Sequence, residues 1–449
     1  MPLVYLLHLI LPDIRAKNGL LIAASLIFYA YGEPVYVLLM IFSVFINYLA
    51  ALAMSAGRLK KFCLSFIIIV NLGILCVFKY TGFLIGLINN LLKTGIHDPE
   101  IALPIGISFF TFQAMSYVID VYKGKVEVQK NFFKVFLYIS FFPQLIAGPI
   151  VKYHDIAYAI DHRVLNLDDT VRGLRRFIFG LSKKILIANT MALAADHIFS
   201  ADRLQIGMPT AWIGAIAYML QIYYDFSGYS DMAIGLGIMF GFRFKENFDY
   251  PYISGTIREF WRRWHISLSS WFKEYVYIPL GGNRKGRART VLNKMIVFFL
   301  TGLWHGANWT FVVWGLYHGT FLLLEEYIPA IRKIPRALGH LYVCIVVCVG
   351  FVIFRADSLA QGLFMIKNMF LFQPVTASVS SLALQQMTPW FILMSIIAIV
   401  GAGCIQSAIE KDRISRHGYL LNTVSLILLC LCIIQLSGNS YNPFIYFRF

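Results

Sequence analysis

Charge-free stretches constrain this chain more than any other feature. No Asp, Glu, Lys or Arg occurs from Met295 to Leu324, and apolar runs recur near 19–31, 35–54, 62–78, 103–118, 132–151, 185–200, 211–242, 338–354, 389–408 and 418–437. Backbone in hydrocarbon must satisfy its own N–H and C=O groups, so runs of this kind fold as helices. Of the 449 residues, 59% are hydrophobic and only 14% charged, whereas soluble domains carry about 25% charged residues. Several runs fall short of the roughly 20 residues of a simple span and two greatly exceed it. The pattern predicts an all-α polytopic membrane protein with about ten to twelve transmembrane or re-entrant helices.

The net charge of +16 would suggest nucleic acid in a soluble chain. Here the bases cluster at 58–61, 123–134, 172–184 and 284–294, between apolar runs. That is the positive-inside signal of a multi-pass inner-membrane protein, and it excludes nucleic-acid binding. The seven cysteines lie mostly within apolar runs, without Cys-x-x-Cys spacing, and read as small buried hydrophobes, not as disulfides or metal ligands. Met1 to Pro12 carries no basic n-region or small-residue cleavage site, so it reads as part of a first membrane segment. The longest polar stretch, 153–176, is too short for a core of its own. Residues 1–449 are therefore expected to form one integral-membrane domain. No internal repeat is evident, which counts against a transporter of two inverted halves.

Some segments suit a simple span poorly. Phe141-Phe-Pro-Gln-Leu-Ile-Ala-Gly-Pro-Ile150 holds two prolines and a glycine. Proline breaks helices, and broken backbone at membrane depth is tolerated only where protein or a water-filled cavity satisfies it. Gly106, Gly148, Gly302 and Gly306 mark similar places, and bent or re-entrant segments around a polar chamber are expected.

The chemically richest part is 225–284. Arg258, Arg262 and Arg263 with Trp261, Trp264 and Trp271 suggest an amphipathic helix lying in the membrane interface, its bases and indoles facing lipid headgroups. On one helix, Arg258, Arg262 and His265 would share a face. Asp225 and Asp231 suit structural pairing with Arg243 or Arg258 better than catalysis. Arg284, Lys285, Arg287 and Arg289 supply positive-inside charge and suit docking of an acidic donor.

His305 lies inside the charge-free stretch. At about 1.5 Å per helical residue, it sits roughly 16 Å beyond Lys294, about halfway through a hydrocarbon core. Ionisable groups at that depth are costly and usually serve a site. The bland alternative is a histidine bonded to a carbonyl in a kinked helix. Against it, Gly302 and Gly306 leave room beside the backbone, Asn308 is placed to share its face, and Trp304 and Trp309 are placed to wall a pocket. A neutral imidazole suits removal of a proton from a hydroxyl that attacks a thioester. His318 reads as a satisfied core histidine.

These segments carry a family resemblance. Trp264-His-Ile-Ser-Leu-Ser269, Gly302-Leu-Trp-His-Gly-Ala-Asn-Trp309, Tyr224-Asp-Phe-Ser-Gly-Tyr-Ser-Asp231 and Phe142-Pro-Gln-Leu-Ile-Ala-Gly-Pro149 resemble the membrane-bound O-acyltransferase family. The likeness runs from Gly32-Glu-Pro-Val-Tyr36 to Phe444-Ile-Tyr-Phe447 and is strongest to the branch that acetylates bacterial exopolysaccharides such as alginate. It implies many helices around a thinned centre with a tunnel from the cytoplasmic face, and no bound cofactor or metal. It further implies His305 as the catalytic histidine, with His265 at the second motif position. The implied donor is acetyl-CoA or an acyl carrier protein. The implied acceptor is a polysaccharide, reached through a periplasmic O-acetyltransferase partner. The alternatives are a transporter or flippase without covalent chemistry, and acylation of a lipid or another envelope polymer.

Overall fold

The computed structural model describes residues 1–57, 59–405, 418–438 and 443–445. Arg58, His417, Tyr446, Phe447 and the Cys404 side chain lie outside the described residues. Among the described residues every regular element is a helix, as the charge-free runs require. Five helical stretches are long and apolar enough to cross a membrane: Tyr36–Ser55, Lys60–Leu92, Leu167–Phe199, Arg336–Arg355 and Gly418–Gly438. A sixth arises if the bent pair Ala377–Gln386 and Pro389–Gly403 counts as one span. The expected ten to twelve crossings are thus not confirmed. Many apolar runs are spent on short, bent or paired helices.

The described residues cluster into two compact units, Met1–Phe177 with Met232–Glu246, and Ile178–Asp231 with Asn247–Phe449. In the first, Asn47 and Asn71 exchange amide hydrogen bonds of 3.0 and 2.9 Å between neighbouring apolar helices, which fixes their register by a polar pair with no charge. The Pro/Gly-rich segment is broken, as expected. Helix Phe132–Ser140 stops at Phe141, a single turn covers Phe142–Leu145, and irregular chain leads to helix Tyr153–His162. Protein groups satisfy this buried backbone. Phe142 N donates to Ser25 Oγ at 3.1 Å, Tyr138 OH to the Val151 carbonyl at 2.9 Å, and Gln144 Nε2 to the Tyr138 carbonyl at 2.6 Å. Gly106 adopts φ of 77° where an added Cβ would lie 2.9 Å from the Leu145 carbonyl oxygen, so the segment packs on backbone that only glycine permits.

In the second unit the charge-free stretch is a hairpin and not one long span. Helix Arg287–His305 ends at Gly306, and Asn308 caps the returning helix Trp309–Tyr327. Glycines set the spacing of the two. A Cβ at Gly315 would lie 2.2 Å from the Phe298 carbonyl oxygen, and one at Gly302 2.3 Å from that of Phe311. A Cβ at Gly306 would lie 2.2 Å from the Phe311 ring. The expectation that Gly302 and Gly306 leave room for substrate therefore fails, because backbone and ring of the return helix fill that space.

Candidate active site

The hairpin brings its two charged ends together. Lys294 and Arg258 both pair with Glu326, Arg258 at 3.0 Å. Glu325 accepts from the backbone N–H groups of Ile257 and Arg258, the latter at 3.0 Å, and so caps helix Ile257–Arg263 with a carboxylate, where the helix dipole favours one. Thr256 and Glu259 reinforce that start: Glu259 N donates to Thr256 Oγ1 at 3.0 Å and Gly255 N to Glu259 Oε2 at 2.9 Å, much as in a capping box.

The expected amphipathic interface helix does not run through 258–271. It breaks into Ile257–Arg263 and Ile266–Phe272, with His265 between them at φ of 43°. A left-handed conformation costs a non-glycine residue of order 1–3 kcal/mol and persists where its surroundings over-determine it. Here Asn247 does so. Its carbonyl oxygen accepts from Ile266 N at 2.9 Å, and its Oδ1 accepts from Ser267 N at 3.2 Å and Ser267 Oγ at 2.8 Å. The same Oδ1 lies 3.2 Å from His265 Nδ1. An oxygen that accepts from a backbone N–H is an acceptor, so His265 Nδ1 carries the proton and Nε2 the lone pair. Nε2 has no hydrogen-bond partner among the described residues. His265 is 1% exposed, lies outside the candidate spans, and burial pushes its pKa down to about 3. It is the neutral imidazole at ordinary pH. Trp264 and Trp271 are also buried in the protein, so this segment is not a surface anchor.

A cavity of about 500 Å³ joins these parts. Both His265 and His305 line it, as do Arg258, Arg262, Lys273, Lys294 and Glu326. Trp261, Trp264, Phe272, Phe298 and Thr301 are also in its wall, with Tyr277, Asn283 and Thr290. Along helix Arg287–His305, Lys294 and His305 are about 16 Å apart at 1.5 Å per residue. The imidazole of His305 thus lies well along the helix from the Lys294–Glu326 pair. Its ring is held by aromatic edges: Trp304 at 5.0 Å, Trp314 at 5.0 Å and Phe354 at 5.1 Å between centroids, with interplanar angles of 79°, 90° and 80°. Trp304 also meets the His265 ring edge-on at 5.8 Å, so one indole touches both imidazoles.

The other expected residues divide. Arg258 and Arg262 line the cavity, although no continuous helix puts them on a common face with His265. Asn308 caps the return helix: it accepts from Thr310 N at 3.1 Å and donates to the Asp357 carbonyl at 3.2 Å. It lies past the end of the His305 helix and does not share a face with it. Trp309 is 50% exposed, and neither Trp304 nor Trp309 is in the lining of this cavity. Asp225 pairs with Lys184 at 2.8 Å and accepts from Ile445 N at 2.8 Å, and Asp231 pairs with Lys183 at 2.6 Å. Both carboxylates are ion-paired, with these lysines in place of the expected Arg243 or Arg258. Arg284, Lys285, Arg287 and Arg289 are exposed, and Arg287 lies over the Tyr327 ring at 4.0 Å. None of the four lines the cavity, whose cations are Arg258, Arg262, Lys273 and Lys294. His318 is buried among Trp261, Trp314 and Tyr317, and neither ring nitrogen has a hydrogen-bond partner among the described residues. It is packed by rings, not satisfied by bonds. The sequence reading missed Asn247, Ser267, Lys273 and Phe354. Ser267 stood in the quoted motif, whereas Asn247 and Phe354 reach the site through tertiary packing alone.

Comparison with known proteins shows the family. The family model described as MBOAT, membrane-bound O-acyltransferase family, matches residues 128–366, which include both histidines. A "Probable alginate O-acetylase" of Azotobacter vinelandii is 37% identical over 97% of this chain and 95% of its own length. A peptidoglycan O-acetyltransferase of Helicobacter pylori is 33% identical over 97% and 93%. A teichoic acid D-alanyltransferase of Bacillus subtilis is 26% identical over 56% and 68%. The chain belongs to the membrane-bound O-acyltransferase family.

Proposed function

We propose that this multi-pass membrane protein is an O-acyltransferase of the bacterial inner membrane, acting over residues 1–449 as one membrane enzyme. It passes an acyl group, acetyl by preference, from a cytoplasmic thioester to a hydroxyl on a cell-envelope polymer. Relatives named for alginate, peptidoglycan and teichoic acid support the acceptor class. The observation that carries the reading is one cavity holding two buried imidazoles along with four cations.

The chemistry follows from those groups. The cations favour an anionic donor, acetyl-CoA or an acidic acyl carrier protein, and the exposed bases at 284–289 steer it. An acceptor hydroxyl attacks the thioester carbonyl carbon, and His305 takes the hydroxyl proton. The C–S bond breaks, and the thiolate leaves with that proton as the free thiol. His265, its Nδ1 tied to Asn247, orients the reacting groups or steadies the oxyanion, with Trp304 fixing both rings. An acylated His305 followed by transfer to the hydroxyl gives the same products. We read the cavity as the donor end of the tunnel. The acceptor is an exopolysaccharide such as alginate, reached through a periplasmic O-acetyltransferase partner.

Inner-membrane vesicles given radiolabelled acetyl-CoA, or acetyl-loaded carrier protein, test this. Label in ester linkage on an acceptor or on the protein is expected. Uptake of the intact donor without any covalent label would make the protein a carrier and contradict the proposal.

A further inference from the structure

The last described residues pack against a ring that meets His265. Lys184 and Asp225, ion-paired at 2.8 Å, hold residues 443–445 between them: Lys184 Nζ donates to the Pro443 carbonyl at 3.2 Å, and Asp225 Oδ2 accepts from Ile445 N at 2.8 Å. Phe444 is thereby pressed inward. It is 6% exposed, with its ring 5.0 Å from Tyr229 and 6.0 Å from Phe226. Phe226, fully buried, meets the His265 imidazole edge-on at 4.6 Å and 90°. The His265 ring is thus held on one side by Phe226 and approached on another by Trp304 at 5.8 Å. Asn247 Oδ1 at 3.2 Å and Ser267 Oγ at 3.5 Å hold the ring at Nδ1, while Nε2 has no hydrogen-bond partner among the described residues. That side of the ring is positioned by packing, and Phe226 lies closer to it than Trp304 does.

We infer that Phe444 is a positioning residue for His265, acting through Phe226, and that the Lys184–Asp225 pair anchors it. This rests on the reading that His265 takes part in transfer. A largely buried charge pair is a costly way to hold a short segment, and its use here is accounted for if that segment braces a catalytic ring. Misplacement of a reacting group by about 1 Å can cost on the order of 100-fold in rate.

The test uses the full chain in cells that make the acetylated polymer, with ester acetate measured per unit of protein in the membrane. Phe444→Ala is expected to lower acetylation at least tenfold at unchanged protein level, and Phe444→Tyr to restore most of it. Asp225→Asn, which keeps size but loses the charge, should fall in the same direction. In a His265→Ala background, Phe444→Ala should cause no further loss, because coupled residues are non-additive. Acetylation in Phe444→Ala above half of the wild type, with His265→Ala inactive, overturns the positioning role alone. So does a loss matched by equal loss of protein, which would assign Phe444 to folding. Full activity in His265→Ala instead overturns the reading of the site on which the inference rests.

Discussion

Lys294 and Glu326 form an ion pair across 32 residues of sequence, and that pair closes the end of the hairpin opposite His305. Arg258 joins the same carboxylate. One acid therefore ties both hairpin helices to the short helix that leads to His265. Glu326→Gln should leave two cations without their shared partner, costing about 1–3 kcal/mol, and lower the thermal midpoint of the detergent-solubilised protein by several degrees. An unchanged midpoint would mean that the pair does not hold the hairpin.

The hairpin's closeness depends on glycine. With 2.2 Å between a Cβ at 315 and the Phe298 carbonyl oxygen, Gly315→Ala must spread the helices. Overpacking of this kind costs about 1–3 kcal/mol. Melting of the purified variant should show that loss, together with reduced acetylation. An alanine variant as stable as the wild type would refute the tight packing.

Acid should weaken the fold through His265. The unfolded imidazole titrates near 6.5, whereas in the folded protein burial lowers it to about 3. Below the first value the unfolded chain takes up a proton that the folded chain refuses, so stability falls as pH drops from 6.5 toward 3. Above 6.5 both states are neutral and this contribution is flat. Midpoints recorded against pH should fall less steeply for His265→Asn over that window. Parallel curves would show that His265 is not buried as a neutral ring.

In the proposed reaction the exposed bases steer the donor from a distance. Replacing Arg284, Lys285, Arg287 and Arg289 with Gln should raise the KM for acetyl-CoA severalfold in vesicles at low salt and leave kcat unchanged. The difference should shrink as salt rises, because exposed charges are screened. A KM that does not move would remove this loop from donor docking.

The all-helical class and the broken segment at 141–150 were legible, because hydropathy and proline carry their physical cost in the sequence itself. His305 stood out as a candidate by its depth in a charge-free run, whereas His265 was singled out only through the family resemblance. What was not legible came from tertiary contacts. A charge-free run has the same composition as one long span or as a hairpin. Only the meeting of Phe298 with Gly315 and of Lys294 with Glu326 decides for the hairpin. Helical spacing placed Arg258 and His265 on one face, but Asn247, eighteen residues before His265, holds it in a left-handed break. Asp225 was read as a structural partner of arginine. Its lysine partner lies in another helix, and no local pattern announces it.

In the proposed reaction His305 is the group that moves the proton. The most direct test is His305→Ala in a host that makes the cognate polymer, with ester acetate on the polymer measured at equal membrane levels of protein. General-base catalysis is worth about 10²–10⁴ in rate, so acetylation should fall at least a hundredfold. More than half of wild-type ester acetate, with the variant present at its normal level, would contradict it.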